Sequence, residues 1–368
     1  MSVKFLNLNR MYEALSAEID QGIKCLFQNE SFIGGEAVEK FEFEWARYCE
    51  SKFAVGVGNG LDALVLSLKA LNIGKGDEVI VPANTFIATW LAISHCGATI
   101  IPVEPSPESF VIEANEIEKK ITERTKVILP VHLYGNPADI IEIKRLAKKY
   151  RLFVIEDAAQ AHGASVNEKR IGGHGDITVW SFYPGKNLGA FGDAGAITTD
   201  SSRLARKVAL LRNYGSEVKY KHDIIGFNSR LDPVQAIVLS IKLKHLDEWN
   251  LHKYQTALFY CGEFSALPIS LPMTCFPYGR AAFHQFVIKT DMRESLQSYL
   301  SSHGVGTMIH YPTAPFNQKA YKYLGYKNSD FPVTSRLSKQ ILSLPIDPLM
   351  ESHEKQYVAH VVKKFFAR

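Results

Sequence analysis

The chain has 368 residues, 46% of them hydrophobic and 22% charged, with a formal net charge of +4. This is the composition of a soluble globular protein long enough for a large core and a second, smaller lobe. The charges are mixed and form no long Lys/Arg block, which argues against nucleic acid as a partner, and no apolar run is long enough to cross a bilayer.

Strand and helix signals alternate through the first two thirds. Phe53 to Val57 reads as a strand and Leu61 to Leu71 as a helix, followed by strand Glu78 to Val81 and helix Phe86 to His95. Next come strand Thr99 to Val103, helix Asn115 to Ile121, strand Lys126 to Leu133, helix Ala138 to Lys149 and strand Leu152 to Ile155. Ile177 to Phe182 and Ala196 to Thr199 are further strands. Several are apolar without alternation, as in a sheet buried on both faces. Repeated βα units with right-handed crossovers imply a three-layer α/β domain with a mostly parallel sheet.

After Asp232 the pattern changes. A long helix is expected from Pro233 to about Ala266, then prolines at 268, 272 and 277 mark a transition. His284 to Lys289 and Thr307 to His310 read as strands, Arg293 to Ser302 and Ser352 to Phe366 as helices, giving a smaller α+β C-terminal domain. The expected division is an arm and helix at 1–30 packing on the small domain, a large domain at 31–245 and the small domain at 246–368. Five scattered cysteines without a CxxC pair read as reduced thiols, with no metal-ligand spacing. With no signal peptide evident, the expected location is cytoplasmic.

Three segments carry chemistry. In SFYPGKNLGAFGD, Lys186 sits in a Pro-Gly turn directly after an apolar strand. A lysine held there, once deprotonated, can form a Schiff base with a carbonyl; the bland alternative is a surface charge. In VIEDAAQAHGA, Asp157 ends a strand, where ligands of open α/β sheets bind. It is either a carboxylate facing a cationic ring nitrogen or a helix N-cap. Lysine for the imine and carboxylate for the pyridinium are the pair that pyridoxal phosphate chemistry needs. In VGVGNGLDAL, the backbone near Gly60 to Asp62 can hold a phosphate at a helix start, or is simply a tight turn. Phe86 can stack on a flat ring or fill core. Ser181 can add a hydrogen bond to the phosphate, and Gln160 one to a ring hydroxyl.

The ordered set GNGLDAL, PANTFIAT, PVHLYGNPAD, VIEDAAQAHGA, SFYPGKNLGAFGDAGAITT and GFNSRLDPVQAIVL resembles the nucleotide-sugar aminotransferases of the DegT–StrS group over nearly the whole chain. These are pyridoxal 5'-phosphate enzymes of the aspartate-aminotransferase fold. The resemblance implies that Lys186 binds the cofactor and moves the proton, that Asp157 pairs with the pyridinium nitrogen and Gln160 with the ring hydroxyl, and that Phe86 stacks on the ring. It implies that Gly60, Leu61, Asp62 and Ser181 hold the phosphate, and that Asn228 reaches the cofactor phosphate of a neighbouring subunit in a homodimer. Related dehydratases carry histidine in place of the lysine; this chain keeps Lys186.

The FLNLNRMYEAL opening, the GNGLDAL turn, the YPGKNLGA loop and the HYP segment look most like enzymes that aminate C-3 of a dTDP-linked 3-keto-6-deoxyhexose with L-glutamate. On that reading His162, Tyr183, His310 and Tyr311 line the sugar site, and Tyr220 and His222 touch substrate across the interface. The alternatives are amination at C-4 and a dehydratase of the same fold.

Overall fold

The computed structural model of the chain describes residues 1–29 and 32–367. In chain order it forms α1 (Leu8–Gln28), α2 (Glu36–Tyr48), β1 (Phe53–Val57), α3 (Gly60–Ala70), β2 (Glu78–Pro82), α4 (Ile87–Cys96), β3 (Thr99–Val103), α5 (Ala114–Glu118), β4 (Thr125–Ile128), α6 (Ile140–Tyr150) and β5 (Phe153–Asp157). It continues with β6 (Ser165–Val166), β7 (Lys169–Arg170), β8 (Ile177–Ser181), β9 (Gly195–Thr199), α7 (Ser202–Arg212), α8 (Pro233–Leu243), α9 (Leu246–Phe264) and β10 (Gly279–Arg280). The last elements are β11 (Phe286–Lys289), α10 (Arg293–Ser302), α11 (Pro332–Gln340), β12 (Ile341–Leu344) and α12 (Ser352–Phe366).

Seven strands make one sheet in the order β1-β9-β8-β5-β4-β2-β3. The pairings from β3 to β8 are parallel; β9 runs antiparallel to both β8 and β1. All strands except β9 therefore point the same way, and their carboxyl ends share one edge. Along β2, Val79 and Val81 pack into one core with α3, α4 and α7, while Ile80 packs into a second core with α2, α6 and α8. Burial on both faces explains the unalternated apolar strands. This is the expected three-layer α/β domain. The smaller lobe packs the antiparallel pair β11–β12 against α9, α10 and α12.

Three expected elements differ. The strand over 126–133 is regular only to Ile128; beyond Pro130 it keeps one bridge, Val131 with Asp157, before the chain turns at a buried Tyr134 with left-handed φ of 61°. The single helix over 233–266 is two helices broken at Lys244–His245. No Gly or Pro marks the break; α8 packs on α1 and α2, whereas α9 packs on α12, so the two apolar faces point to different partners. The strand over 307–310 reduces to one bridge, Met308 with Ser343.

The arm and first helix reach different regions. Val3 bridges to Val305 in the smaller lobe, and Arg10 pairs with Glu354 at 2.8 Å. Met11, Leu15 and Ile19 of α1 instead pack on Val238 and Ile241 of α8 and on Trp249. The expected boundary at residues 30 and 31 lies outside the described residues. All five cysteines are free. Among the described residues no helix is long and apolar enough to cross a membrane, and no group of three or more His, Cys, Asp or Glu residues could hold a metal ion.

Candidate active site

The site forms where β1, β2, β5 and β8 end together. Asp157 closes β5 and is only 5% exposed. Its Oδ2 accepts from Thr89 Oγ1 at 3.0 Å and its Oδ1 from the Ala159 amide at 3.2 Å. The second bond is the local cap-like contact weighed from the sequence, but no helix begins there. Burial pushes the Asp157 carboxyl above its usual range, against the hydrogen bonds from Ala159 and Thr89 and the charge of Lys186. A carboxylate desolvated in this way is stabilised by a cation placed against it, and a protonated pyridine nitrogen meets that need.

Lys186 lies half-buried in the turn after β8. Burial lowers its pKa to about 8, with the Asp157 charge pulling the other way. About a tenth of an amine with that pKa is unprotonated at pH 7, far more than of an ordinary lysine, and the free amine is the nucleophile a carbonyl requires. His162, His284 and His310 nearby are held neutral: burial lowers His162 to about 3 and His310 to about 4, and carries His284 well below the ordinary value.

Gln160 is almost fully buried and fixed at both ends. Its Oε1 accepts from the Tyr134 amide at 2.6 Å, and its Nε2 donates to Tyr311 Oη at 3.0 Å. One N–H of Nε2 remains for a ligand. Tyr134 Oη in turn donates to the His310 carbonyl, so the 310–311 segment of the smaller lobe is tied to the sheet edge. The Phe86 ring is half exposed and stands 5.2 Å from the Tyr311 ring. Thr89 and Tyr134, which bond Asp157 and Gln160, are positions that residue patterns did not single out. Thr89 looks like an ordinary helix residue, and Tyr134 acquires its place from a left-handed backbone.

The candidate phosphate cradle is the start of α3. Asn59 caps the helix by accepting from the Asp62 amide at 2.8 Å. That leaves the Gly60 and Leu61 amides at the helix start for an anion, beside the Ser181 hydroxyl. Gly60 is required here: a Cβ would lie 2.7 Å from Ser181 Cβ. Asp62 departs from the expected role of phosphate ligand. Its amide is taken by Asn59, and its carboxylate accepts from Ser229 Oγ at 2.7 Å. It orders the cradle instead of donating to it.

His162 is also corrected. Its ring is fully buried and packs 5.8 Å from Trp45, 5.3 Å from Trp180 and 5.6 Å from Phe182. It presents no surface to a sugar and is a neutral core ring. Tyr183 is 60% exposed, and His310 is half-buried with Nδ1 2.8 Å from Ser343 Oγ. Tyr220, His222 and Asn228 are exposed on the 213–228 loop. Within the chain, His222 Nδ1 bonds the Tyr214 carbonyl at 2.9 Å, and Asn228 bridges to Asn213. These three are not drawn to Lys186 of their own chain.

The DegT/DnrJ/EryC1/StrS aminotransferase family profile matches residues 13–363. The chain belongs to this family. It is similar to the dTDP-3-amino-3,4,6-trideoxy-alpha-D-glucose transaminase of Streptomyces venezuelae, 44% identical over 100% of this chain and 97% of that one. It is also similar to the dTDP-3-amino-3,6-dideoxy-alpha-D-galactopyranose transaminase of Aneurinibacillus thermoaerophilus, 45% identical over 99% of each chain. The crystal structure of S. venezuelae DesV in complex with a ketimine intermediate superposes with a TM-score of 0.98, at 44% identity, covering 100% of this chain and 99% of that one. The protein is therefore an enzyme, an aminotransferase.

Proposed function

We propose that this aminotransferase uses pyridoxal 5'-phosphate to transfer the amino group of L-glutamate to a dTDP-linked 3-keto-6-deoxyhexose, giving a dTDP-3-amino-3,6-dideoxyhexose. The observation that carries the reading is the pairing of a half-buried lysine, lowered to about 8, with a desolvated carboxylate beside an amide-lined helix start. The names of the two transaminases described above support the sugar class.

When bound, the cofactor supplies a carbonyl carbon for amine exchange and a ring that takes up electron density from the donor's Cα. Lys186 Nζ is the group that would hold that carbon and, once freed, would take the proton from the donor's Cα. Asp157, held by Thr89 and the Ala159 amide, would set its carboxylate against the ring nitrogen. Gln160 would offer its free N–H to the ring hydroxyl, and Phe86 would cover the ring. The Gly60 and Leu61 amides and the Ser181 hydroxyl would hold the phosphate, with Asp62 bracing the turn through Ser229. Tyr183, His310 and Tyr311 line the sugar side. The donor half-reaction and the sugar half-reaction use one site in turn, so ping-pong kinetics follow.

The 213–228 loop supports a homodimer. Tyr220 is 83% and Ile225 94% exposed, and Val218, Ile224 and Phe227 add apolar surface beside them. A second copy of the chain would cover that surface and bring Tyr220, His222 and Asn228 to its neighbour's site. The decisive experiment incubates enzyme, cofactor and glutamate with 3-keto and 4-keto dTDP-6-deoxyhexoses separately and identifies products by NMR. The expected result is a 3-amino sugar from the first alone. Amination of the 4-keto sugar alone would overturn the regiochemistry, and a product without new nitrogen would favour a dehydratase.

A further inference from the structure

Behind Lys186 lies a buried polar network that the proposed chemistry does not use. Lys253 of α9 is 4% exposed and makes no ion pair among the described residues. Its Nζ donates to Asn187 Oδ1 at 3.0 Å and to the His284 carbonyl at 3.1 Å. Asn187, next to Lys186 in the chain, is buried too. Its Nδ2 donates to the Ala282 carbonyl at 2.8 Å and to Asn250 Oδ1 at 2.7 Å. Asn250 Nδ2 closes the circuit on the His162 carbonyl at 2.8 Å.

The histidine in this network has one consistent tautomer. With Asn187 Nδ2 donating to Ala282 and Asn250, its Oδ1 must accept, so His284 Nδ1 carries the proton at 3.1 Å. His284 Nε2 then accepts from Gln285 Nε2 at 3.2 Å. Asn187 Oδ1 thus receives two donors, one an ammonium, and its amide hydrogens are both used. A second buried lysine, Lys242 of α8, donates to the Gly189 carbonyl on the far side of the turn at 2.7 Å and lies 4.3 Å from the centre of the Phe191 ring.

We propose that Lys253 is a positioning residue for the catalytic turn: its buried ammonium fixes the Asn187 side chain, and through it the adjacent Lys186, against the 282–284 segment. A buried ammonium without a carboxylate is expensive to desolvate, and its retention here is accounted for by the acceptors it orders. The role rests on Lys186 being the cofactor-binding lysine. Burial lowers Lys253 to about 7, with Asp347 opposing, and the other titratable groups that face this region are Lys186, His162, His284 and His310.

The test uses full-length wild type, Lys253→Met, Lys253→Arg and Asn187→Ser, each loaded with pyridoxal phosphate. The readouts are the single-turnover rate at which glutamate bleaches the long-wavelength absorbance band, and the melting temperature. Lys253→Met is expected to slow bleaching by roughly tenfold to a hundredfold, because Asn187 Oδ1 loses a donor and the turn its anchor. Asn187→Ser is expected to slow bleaching comparably, and Lys253→Arg, which keeps the donors, to recover most of the rate. If Lys253→Met does not fold, Asn187→Ser decides through the bleaching rate. Bleaching within twofold of wild type in the folded Lys253→Met and Asn187→Ser variants overturns the proposal. A wild type that never shows the band would instead sink the cofactor reading itself.

Discussion

The floor of the site and the 213–228 loop are built in opposite ways. On the floor, Asp157, Gln160 and Thr89 are buried and each has a named partner within the chain. On the loop, Tyr220, Ile225 and Asn228 stand in the open. The floor gets its precision from strand ends whose spacing the sheet fixes, so one chain completes it. The loop is anchored at its base, where Ser229 Oγ accepts from the Gly58 amide at 3.0 Å, but its apolar tip has nothing of its own chain to cover it. One half of the site is thus preorganised, and the other is exposed surface that the proposed homodimer would cover.

Variants can break or sharpen this contrast. Lys186→Ala should have the largest effect, a loss of turnover of at least about 10²–10⁴-fold; steady-state kinetics with glutamate measure it. Asp157→Asn should follow at about 10²–10³-fold in kcat, with the protein still folded by circular dichroism. Asn228→Ala should weaken cofactor binding by roughly tenfold to a hundredfold, as expected for one hydrogen bond to a charged group. Mixing Asn228→Ala chains with Lys186→Ala chains should restore part of the activity, because a mixed dimer holds one site with both residues intact. Absence of any recovery after subunit exchange would end the shared-site reading.

Smaller effects probe the floor alone. Lys186 has a lowered pKa of about 8, and only its unprotonated amine attacks a carbonyl. The rate at which the cofactor-free protein takes up pyridoxal phosphate should therefore rise with pH through about 8 and level off above it, and stopped-flow absorbance reads this directly. Tyr311→Phe removes the acceptor of Gln160 and should cost about 1 kcal/mol, a few-fold in cofactor affinity.

Much of this was legible in the residues. Apolar runs of strand length alternating with helical periodicity determined the buried parallel sheet, because burial on both faces removes the polar alternation. Strand ends followed by Gly-rich or acidic segments located Gly60, Asp157 and Lys186, because βα topology brings those ends to one edge. Local spacing carried no record of the break at Lys244, since it is set by which partner each half of the helix meets. Nor could it reveal that His162 is a core ring: the packing of Trp45, Trp180 and Phe182 around it joins α2, the segment after β5, and β8. The same holds for Asp62, whose amide the Asn59 cap takes, and for Lys253, whose partners come from the turn after β8 and the segment before β11. Sequence alone determined which groups could react. The tertiary structure decided which of them are exposed, which are satisfied and which are neutral, because burial and hydrogen bonding are properties of neighbours distant in the chain.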